Sequence, residues 1–194
     1  MPIVRDEAHR DAVMAACEVL EQRIAALRWQ DEPVRVRLDR RDLPTPDKRW
    51  EWVRKGVPFI VELGPKDLEK GSIAVTDRLA LDAKKSFPPV EEFLAGLTQA
   101  LDRHDRTLFD EVLAFQRART RDDIATLTEF RAFFAEDGAG FVRAWWSEDE
   151  SSLEKIEDLG VSVRCLPYEQ PDGEGRCVLT GAPAKRRAIF AKSY

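Results

Sequence analysis

Residues 48 to 67, called the deciding stretch below, read Lys-Arg-Trp-Glu-Trp-Val-Arg-Lys-Gly-Val-Pro-Phe-Ile-Val-Glu-Leu-Gly-Pro-Lys-Asp. Its first part, residues 48 to 55, predicts a short helix that is stopped by Gly56. The β-branched and aromatic residues from 57 to 63 predict a strand. Gly64-Pro65 breaks that strand, and the proline suits the first position of a helical turn.

The residues before this stretch predict the beginning of the same domain. Residues 2 to 4 predict the stub of a strand, and residues 6 to 28 predict a helix because apolar side chains recur near helical spacing. Residues 33 to 38 alternate valine or leucine with arginine, which predicts a half-buried strand. After the deciding stretch, residues 72 to 76 predict one more strand.

Beyond Pro88-Pro89 the pattern changes to a long helix, a further helix and a final group of strands. Thr120 and Asp123 have the spacing of a capping box, which predicts a helix over residues 122 to 136. Ser147 and Glu150 likewise predict the start of a helix that runs to Asp158. The remaining predicted strands lie at residues 141 to 146, 161 to 166 and 188 to 194.

This order of elements predicts the α/β class and two domains. A mixed sheet flanked by helices is expected in residues 1 to 103. A small α+β domain is expected in residues 104 to 194.

Composition and charge exclude several classes of protein. No run of about 18 apolar residues occurs, so we expect no membrane partner, and the first residues lead us to expect no signal peptide. The three cysteines cannot build a disulfide framework, which favours a cytoplasmic location. The net charge of −5 argues against general attraction to nucleic acid, and we expect no DNA partner. Residues 35 to 55 nevertheless carry eight basic side chains against four acidic ones, which suits a local RNA contact.

Long, ordered motifs identify a resemblance that runs from Pro2 to Tyr194. The segments at Lys48, Glu51-Trp52, 55 to 58 and 62 to 68 resemble the anticodon-binding domain of prolyl-tRNA synthetases of the archaeal and eukaryotic-like type. The segments at 164 to 167, 175 to 177 and 190 to 194 resemble the C-terminal domain of that family and its closing tyrosine. The resemblance implies an anticodon-binding-type mixed sheet followed by a small α+β domain.

The resemblance also implies that the chain docks the anticodon arm of proline tRNA. Proline anticodons end in two guanines, and a splayed guanine is read by a carboxylate, a cation and a flat side chain. On the family's motif, Lys66 and Asp67 supply a cation and a carboxylate, and Lys84 or Lys85 lies near a further family lysine, of which Lys85 is taken as the candidate. Lys48 and Lys55 are expected to hold phosphates.

Three positions depart from the family's base-contacting pattern of an aromatic residue, a glutamate and an arginine. This chain has Arg49, Val53 and Ile60 there. The Arg49 guanidinium has a plane that can stack on a base, whereas Val53 and Ile60 offer no hydrogen bond. Guanine readout is therefore weakened, relocated or lost, and these three outcomes stay open.

The family commonly holds zinc in its C-terminal domain with two pairs of cysteines. The corresponding positions here are Ser147, Ser152, Cys177 and Thr180. Structural zinc needs four good ligands, so a single thiolate leads us to expect no metal. Ser147 is then expected to cap a helix.

The resemblance further implies a larger, dimeric enzyme. In the family, a preceding catalytic domain binds ATP, with magnesium, and the family's enzymes are homodimers through that part. No sequence of that domain precedes Met1, so we expect neither a catalytic residue nor a cofactor in this chain. The Tyr194 carboxylate is expected to point toward the catalytic domain.

Other classes of function stay open. The losses at Val53, Ile60 and the zinc positions also fit a divergent synthetase-like interaction or regulatory protein. An independent enzyme has little support, because His9 and His104 each lie alone without a nucleophile at triad-like spacing. Without the resemblance, the deciding stretch would be a plain strand, turn and strand with a polar loop.

Overall fold

The computed structural model describes residues 1–4, 6–136 and 140–192. The chain divides into two units, Met1–Phe109 and Asp110–Tyr194. The division falls within a long helix, slightly later than the predicted boundary between residues 103 and 104. None of the helices in the described residues is long and apolar enough to cross a membrane.

The first unit combines helices with short strands. In chain order its elements are α1 (Arg10–Ala25), β1 (Arg28–Trp29), β2 (Glu32–Pro33), α2 (Thr45–Arg54), β3 (Phe59–Glu62), α3 (Pro65–Lys70), β4 (Ala74–Asp77) and the greater part of α4 (Val90–Ala118). Short 3-10 helices at Glu7–His9 and Arg78–Ala80 precede α1 and follow β4.

Helix α1 forms because one of its faces is apolar. Val13, Cys17, Leu20 and Ile24 recur every three or four residues and are all buried. They belong to one core with apolar residues of β4 and α4, such as Leu97. The predicted helix over residues 6 to 28 is therefore confirmed in its central part.

Strands β3 and β4 pair antiparallel, and α3 connects them. At the start of α3 the Asp67 carboxylate accepts a hydrogen bond from the Gly64 amide at 2.9 Å. At its end Gly71 has a φ of 62°, a left-handed conformation that favours glycine. On the edge of β3 away from β4, Pro2 forms a parallel bridge with Leu63. The helix, strand and helical turn predicted from the deciding stretch are confirmed.

The described residues of the second unit form a four-stranded sheet and a separate two-stranded sheet. Its elements are β5 (Thr120–Arg121), α5 (Leu127–Ala135), β6 (Phe141–Trp146), a 3-10 helix (Glu150–Leu159), β7 (Val161–Cys165), β8 (Gly175–Arg176), β9 (Pro183–Ala184) and β10 (Arg186–Lys192). The four-stranded sheet has the order β5-β6-β10-β7, and only the β5–β6 pair among these is parallel. Phe130, Phe134, Ile156 and Phe190 are fully buried in its core.

The predicted strand over residues 33 to 38 is wrong. Strand β2 ends at Pro33, and residues 34 to 38 pair with no strand in the part of the chain that the structure describes. The alternation is present in burial, since Val34 is buried while Arg35 and Arg37 are exposed. Alternation reports which side chains face the core, whereas a strand also needs a neighbour that completes its ladder.

The predicted start of the helix over residues 122 to 136 is wrong, because α5 begins at Leu127. The Thr126 side chain accepts from the Glu129 amide, and the Glu129 carboxylate accepts from the Thr126 amide. Thr120, the predicted cap, lies in β5. The Thr120–Asp123 and Thr126–Glu129 pairs both have the spacing of a capping box. Only the Thr126–Glu129 pair is followed by the apolar residues that form a buried helix face.

The predicted helix from Ser147 to Asp158 is a 3-10 helix that begins later, at Glu150. Its cap is Asp149, whose carboxylate accepts from the Ser151 amide at 3.0 Å, so the cap assigned to Ser147 is wrong. The predicted strand over residues 141 to 146 is confirmed as β6. Tyr194, and its expected docking, lies outside the described residues.

Candidate nucleic-acid interface

A cleft of about 680 Å³ opens in the first unit. The N-terminal segment, α1, the loop that precedes α2 and α2 itself contribute to its walls. The walls carry six basic side chains, which are Arg10, Arg40, Arg41, Lys48, Arg49 and Lys85, and three acidic ones, which are Asp11, Asp42 and Glu62. An excess of basic groups in a concave site favours an anionic ligand.

Helix α2 brings two of these basic side chains to the cleft. It begins at Thr45, three residues earlier than predicted, because Pro46 is accepted in its first turn, where a missing amide hydrogen costs nothing. Lys48 and Arg49 follow within the next turn and line the cleft. Lys48 is only 7% exposed, so its aliphatic stem contributes to packing as well as to charge.

A buried carboxylate organises the floor of the cleft. Glu62, at the end of β3, forms ion pairs with Arg49 and Lys85. The Arg49 Nη2 lies 3.0 Å from Glu62 Oε1, and Lys85 Nζ contacts the other oxygen. Because two cations share one carboxylate, this cluster keeps a net positive charge. It also directs the Arg49 guanidinium toward Glu62, which opposes the predicted stacking of Arg49 on a base.

A second network fixes Arg41 beside the cleft. The buried Asp39 carboxylate accepts hydrogen bonds from the Arg41 guanidinium and, at 2.8 Å, from the Trp52 indole. The Arg41 hydrogen bonds, supported by that of Trp52, hold the pKa of Asp39 well below its ordinary value. Arg41 also pairs with Glu51, whose other partner is Lys55. Arg41 is therefore held in one position before any ligand arrives.

The structure brings together two of the five predicted site residues. Lys48 and Lys85 line the cleft. Lys55 is not among the lining residues; it pairs with a glutamate of its own helix and lies 4.7 Å from the centre of the Trp52 ring. Lys66 is exposed on α3, and Asp67 uses one carboxylate oxygen to cap that helix.

Sequence reasoning missed part of this cleft. Arg40 and Arg41 belong to the basic run at residues 35 to 55, and that run was a usable signal for them. Arg10 and Glu62 carried no local signal, since their place in the cleft depends on how α1 and β3 pack. Trp50, on α2, is 56% exposed and is the large aromatic side chain that stands next to Arg49 in the sequence.

The positions that depart from the family's base-contacting pattern differ in their exposure. Ile60 is buried in β3 and is not among the residues that line the cleft. Val53 is half-buried on α2. Neither side chain can form a hydrogen bond, so any hydrogen bond to a base must come from other groups.

The four zinc-related positions, Ser147, Ser152, Cys177 and Thr180, lie in the second unit. Burial raises the pKa of the Cys177 thiol, but the neighbouring Ser147 and Thr180 hydroxyls and nearby amides outweigh burial and bring the pKa below its ordinary value. The Ser152 hydroxyl accepts from the Trp146 indole at 3.1 Å and donates to a backbone carbonyl. No group of three potential metal-binding side chains occurs within residues 1–4, 6–136 and 140–192.

Comparison with known families also divides the chain into two parts, as the structure does. Residues 1–99 match the family described as "Anticodon binding domain". Residues 127–194 match the family described as "Prolyl-tRNA synthetase, C-terminal".

Curated relatives match over the whole chain. A proline–tRNA ligase of Paramagnetospirillum magneticum is 36% identical over 197 residues, which cover 100% of this chain and 39% of the relative. A proline–tRNA ligase of Akkermansia muciniphila is 38% identical over 200 residues, again covering 100% of this chain and 39% of the relative. Proline–tRNA ligase 2 of Anaeromyxobacter dehalogenans is 35% identical over 206 residues, with 100% of this chain and 40% of the relative covered.

The chain thus spans about two fifths of the length of these relatives. Its two matched families follow one another in the chain, and the basic cleft lies within the residues matched by the first. The chain belongs to the prolyl-tRNA synthetase family, of which it contains an anticodon-binding domain followed by the C-terminal domain.

Proposed function

We propose that this chain is the tRNA-binding, C-terminal portion of a proline–tRNA ligase, and that its basic cleft receives the anticodon arm of proline tRNA. The observation that carries the proposal is the excess of six basic over three acidic side chains in a cleft of the anticodon-binding domain. RNA backbones are bound largely through contacts between phosphates and such side chains.

The cleft residues have two kinds of role in this proposal. Lys48 and Lys85 hold phosphates from within the cleft, and Arg41 adds a cation that is already fixed in position. Lys55 contacts phosphate from the exposed side of α2, where its side chain is about half exposed. These contacts orient the RNA and carry no sequence information.

Base recognition in this proposal belongs to the start of α3. Lys66 is exposed there and offers a cation to the O6 and N7 acceptors of a guanine. Asp67 is half-buried and has one carboxylate oxygen engaged with the Gly64 amide, so the second oxygen is the proposed acceptor for guanine donors. Lys66 and Asp67 together offer fewer hydrogen bonds to a base than the family's full pattern does, because Val53 and Ile60 add none.

The activity of the whole protein is also a proposal. The relatives are named proline–tRNA ligases and are more than twice as long as this chain. We expect a preceding catalytic part to bind ATP and magnesium, to form a homodimer and to act in the cytoplasm. In that enzyme the present chain holds the tRNA while the chemistry takes place elsewhere.

Binding measurements with two RNAs test the proposal. The protein is titrated with proline tRNA and with the same tRNA in which the two anticodon guanines are replaced, at about 50 and about 200 mM salt. We expect binding that weakens with salt, and weaker binding of the altered tRNA by roughly 1–3 kcal/mol per guanine that is read. Equal affinity for both RNAs would mean that the bases are not read.

A pair of lysine variants on α3 locates the contact. Lys66→Ala should weaken binding of proline tRNA, whereas Lys70→Ala, which removes another exposed lysine from the same helix, should not. Equal losses in the two variants would show a general charge effect rather than a contact at Lys66.

A second candidate function is that of an interaction or regulatory protein. It is favoured by the pairing of Arg49 with Glu62 and by the burial of Ile60, because both remove groups that could contact a base. The same titrations distinguish it, since such a protein would bind neither tRNA at either salt concentration.

A further inference from the structure

A second group of basic side chains in the first unit lies around the ring of Trp52. The Arg37 Cζ is 5.8 Å from the centre of that ring, and the Lys55 Nζ is 4.7 Å from it. Neither residue lines the cleft, but Arg41, which does line it, is also 5.8 Å from the same ring. Trp52 therefore connects the cleft with cations that lie outside it.

The Trp52 ring is fixed in position by its hydrogen bond. The indole donates to the Asp39 carboxylate at 2.8 Å, and Asp39 is only 3% exposed. A cation over the face of an indole is attracted by the negative charge of that face, and this contact uses none of the cation's N–H donors. The ring can thus hold a basic side chain in place and leave its donors available for a ligand.

Arg37 is the clearest case of a cation held in this way. Its guanidinium forms neither an ion pair nor a hydrogen bond with any residue in the part of the chain that the structure describes. Arg41, in contrast, directs its donors to the carboxylates of Asp39 and Glu51. A guanidinium offers five N–H donors in a planar fork that binds a phosphate through two parallel hydrogen bonds. Arg37 keeps this fork available.

Arg35 adds a further cation on the same side of the chain. Residues 34 to 38 alternate in burial, with Val34 buried and both Arg35 and Arg37 exposed, so the two arginines face solvent together. Side chains two residues apart in an extended chain are separated by about 6.6 Å. Arg35, like Arg37, has no ion pair among residues 1–4, 6–136 and 140–192. The two arginines can therefore contact one polyanionic strand at the same time.

The charge of this group is not balanced. Four basic side chains stand against two acidic ones; the bases are Arg35, Arg37, Arg41 and Lys55, and the acids are Asp39 and Glu51. A surplus of positive charge favours an anionic partner. An acidic protein would complement this charge, but the group is continuous through Arg41 with the cleft proposed for RNA, and this continuity favours RNA.

We infer that Arg35, Arg37 and Lys55 form a second contact for the RNA backbone, which we call the Trp52 surface. The inference rests on the proposed function, because the RNA is the tRNA whose anticodon arm lies in the cleft. Arg37 binds one phosphate with both arms of its guanidinium, and Arg35 and Lys55 bind neighbouring phosphates. Phosphate contacts carry no sequence information, so the Trp52 surface adds affinity and orients the arm while the bases are read elsewhere.

Titrations of proline tRNA at several salt concentrations test the Trp52 surface. Arg37→Ala should reduce the slope of log affinity against log salt by about 1, so that binding weakens about fourfold less between about 50 and about 200 mM salt. Arg35→Ala is an independent second variant and should give the same reduction. The control is Arg103→Ala, which removes an exposed arginine of α4 that has no ion pair among the described residues and should leave the slope unchanged.

A second RNA separates a phosphate contact from a base contact. The ratio of the affinities of Arg37→Ala and the original chain should be the same for proline tRNA and for the tRNA with replaced anticodon guanines, because a phosphate contact does not depend on sequence. A ratio that differs between the two RNAs would overturn the inference, since Arg37 would then contact a base.

The other outcomes also distinguish this inference from the proposed function. If the original chain binds proline tRNA and either Arg37→Ala or Arg35→Ala keeps its slope, the Trp52 surface is refuted and the cleft is not. The surface would then fit an acidic protein instead. An equal reduction in Arg103→Ala would show a general charge effect and would also refute the surface. If the original chain binds no tRNA, both the inference and the proposed function are wrong.

Discussion

Glu62 lines the cleft and pairs with two of its cations, and a substitution of Glu62 measures what this ion cluster contributes to stability. The side chain is 7% exposed and its partners, Arg49 and Lys85, are 27% and 29% exposed. Glu62→Gln would leave two partly buried cations without a counter-charge, so we expect the free energy of unfolding to fall by about 2 kcal/mol, below the full cost for a completely buried pair. Urea unfolding measures this, and Glu69→Gln, at an exposed position on α3, is the control. A loss as small as that of the control would show that the cluster contributes no stability.

Asp39 provides a prediction about pH. Hydrogen bonds from Arg41, and then from Trp52, hold the pKa of Asp39 below its unfolded value, which is about 3.9. A carboxyl group whose pKa is lowered by folding stabilises the folded state at pH values above its unfolded pKa. This contribution is lost as the pH falls toward the folded pKa. We therefore expect Asp39→Asn to be less stable than the original chain at neutral pH, with a difference that stays constant to about pH 5 and shrinks below about pH 4. Urea unfolding at several pH values checks this, and a difference that grows in acid would contradict it.

The sequence predicted individual site residues unevenly. Lys48 lies in the deciding stretch and Lys85 was placed by resemblance, and both reach the cleft. Arg10 does not stand out in the sequence, because its place beside α2 residues depends on how α1 packs in three dimensions. Arg49 was expected to be available for stacking, but its ion pair with Glu62 joins residues 13 apart and could not be read from either one alone.

At the scale of elements, the start of α5 shows what a cap contributes. Thr126 and Glu129 satisfy each other's amides ahead of the buried face of α5. Thr126→Ala should lower the free energy of unfolding by about 1 kcal/mol, the usual cost of losing a threonine cap. Thr128→Ala is the matched control, since it makes the same exchange at an exposed position inside the helix, where alanine is the better helix former. Equal effects of the two exchanges in thermal or urea unfolding would refute the assigned cap.

Elements with a strong apolar period were predictable, and elements that depend on pairing were not. Helix α1 and strand β6 follow from the spacing of their buried residues. The stretch from 34 to 38 has the burial pattern of a strand, but pairing depends on a neighbour that the pattern does not contain. Strands β5 and β8, each of two residues, are too short to show any period.

For the molecule as a whole, the proposed function requires that a chain of net charge −5 bind RNA through one local site. A local site should reveal itself in the salt dependence of binding, because each phosphate contact releases counterions and adds to the slope of log affinity against log salt. Arg40 lines the cleft and Arg121 belongs to the second unit, and both are ion-paired and about half exposed. Arg40→Ala should reduce the slope for proline tRNA by about 1, whereas Arg121→Ala should leave the slope unchanged although it alters the net charge equally. Titrations at several salt concentrations measure both slopes. The same reduction in both variants would mean that RNA binding responds to the charge of the whole chain, and it would refute the cleft as the binding site.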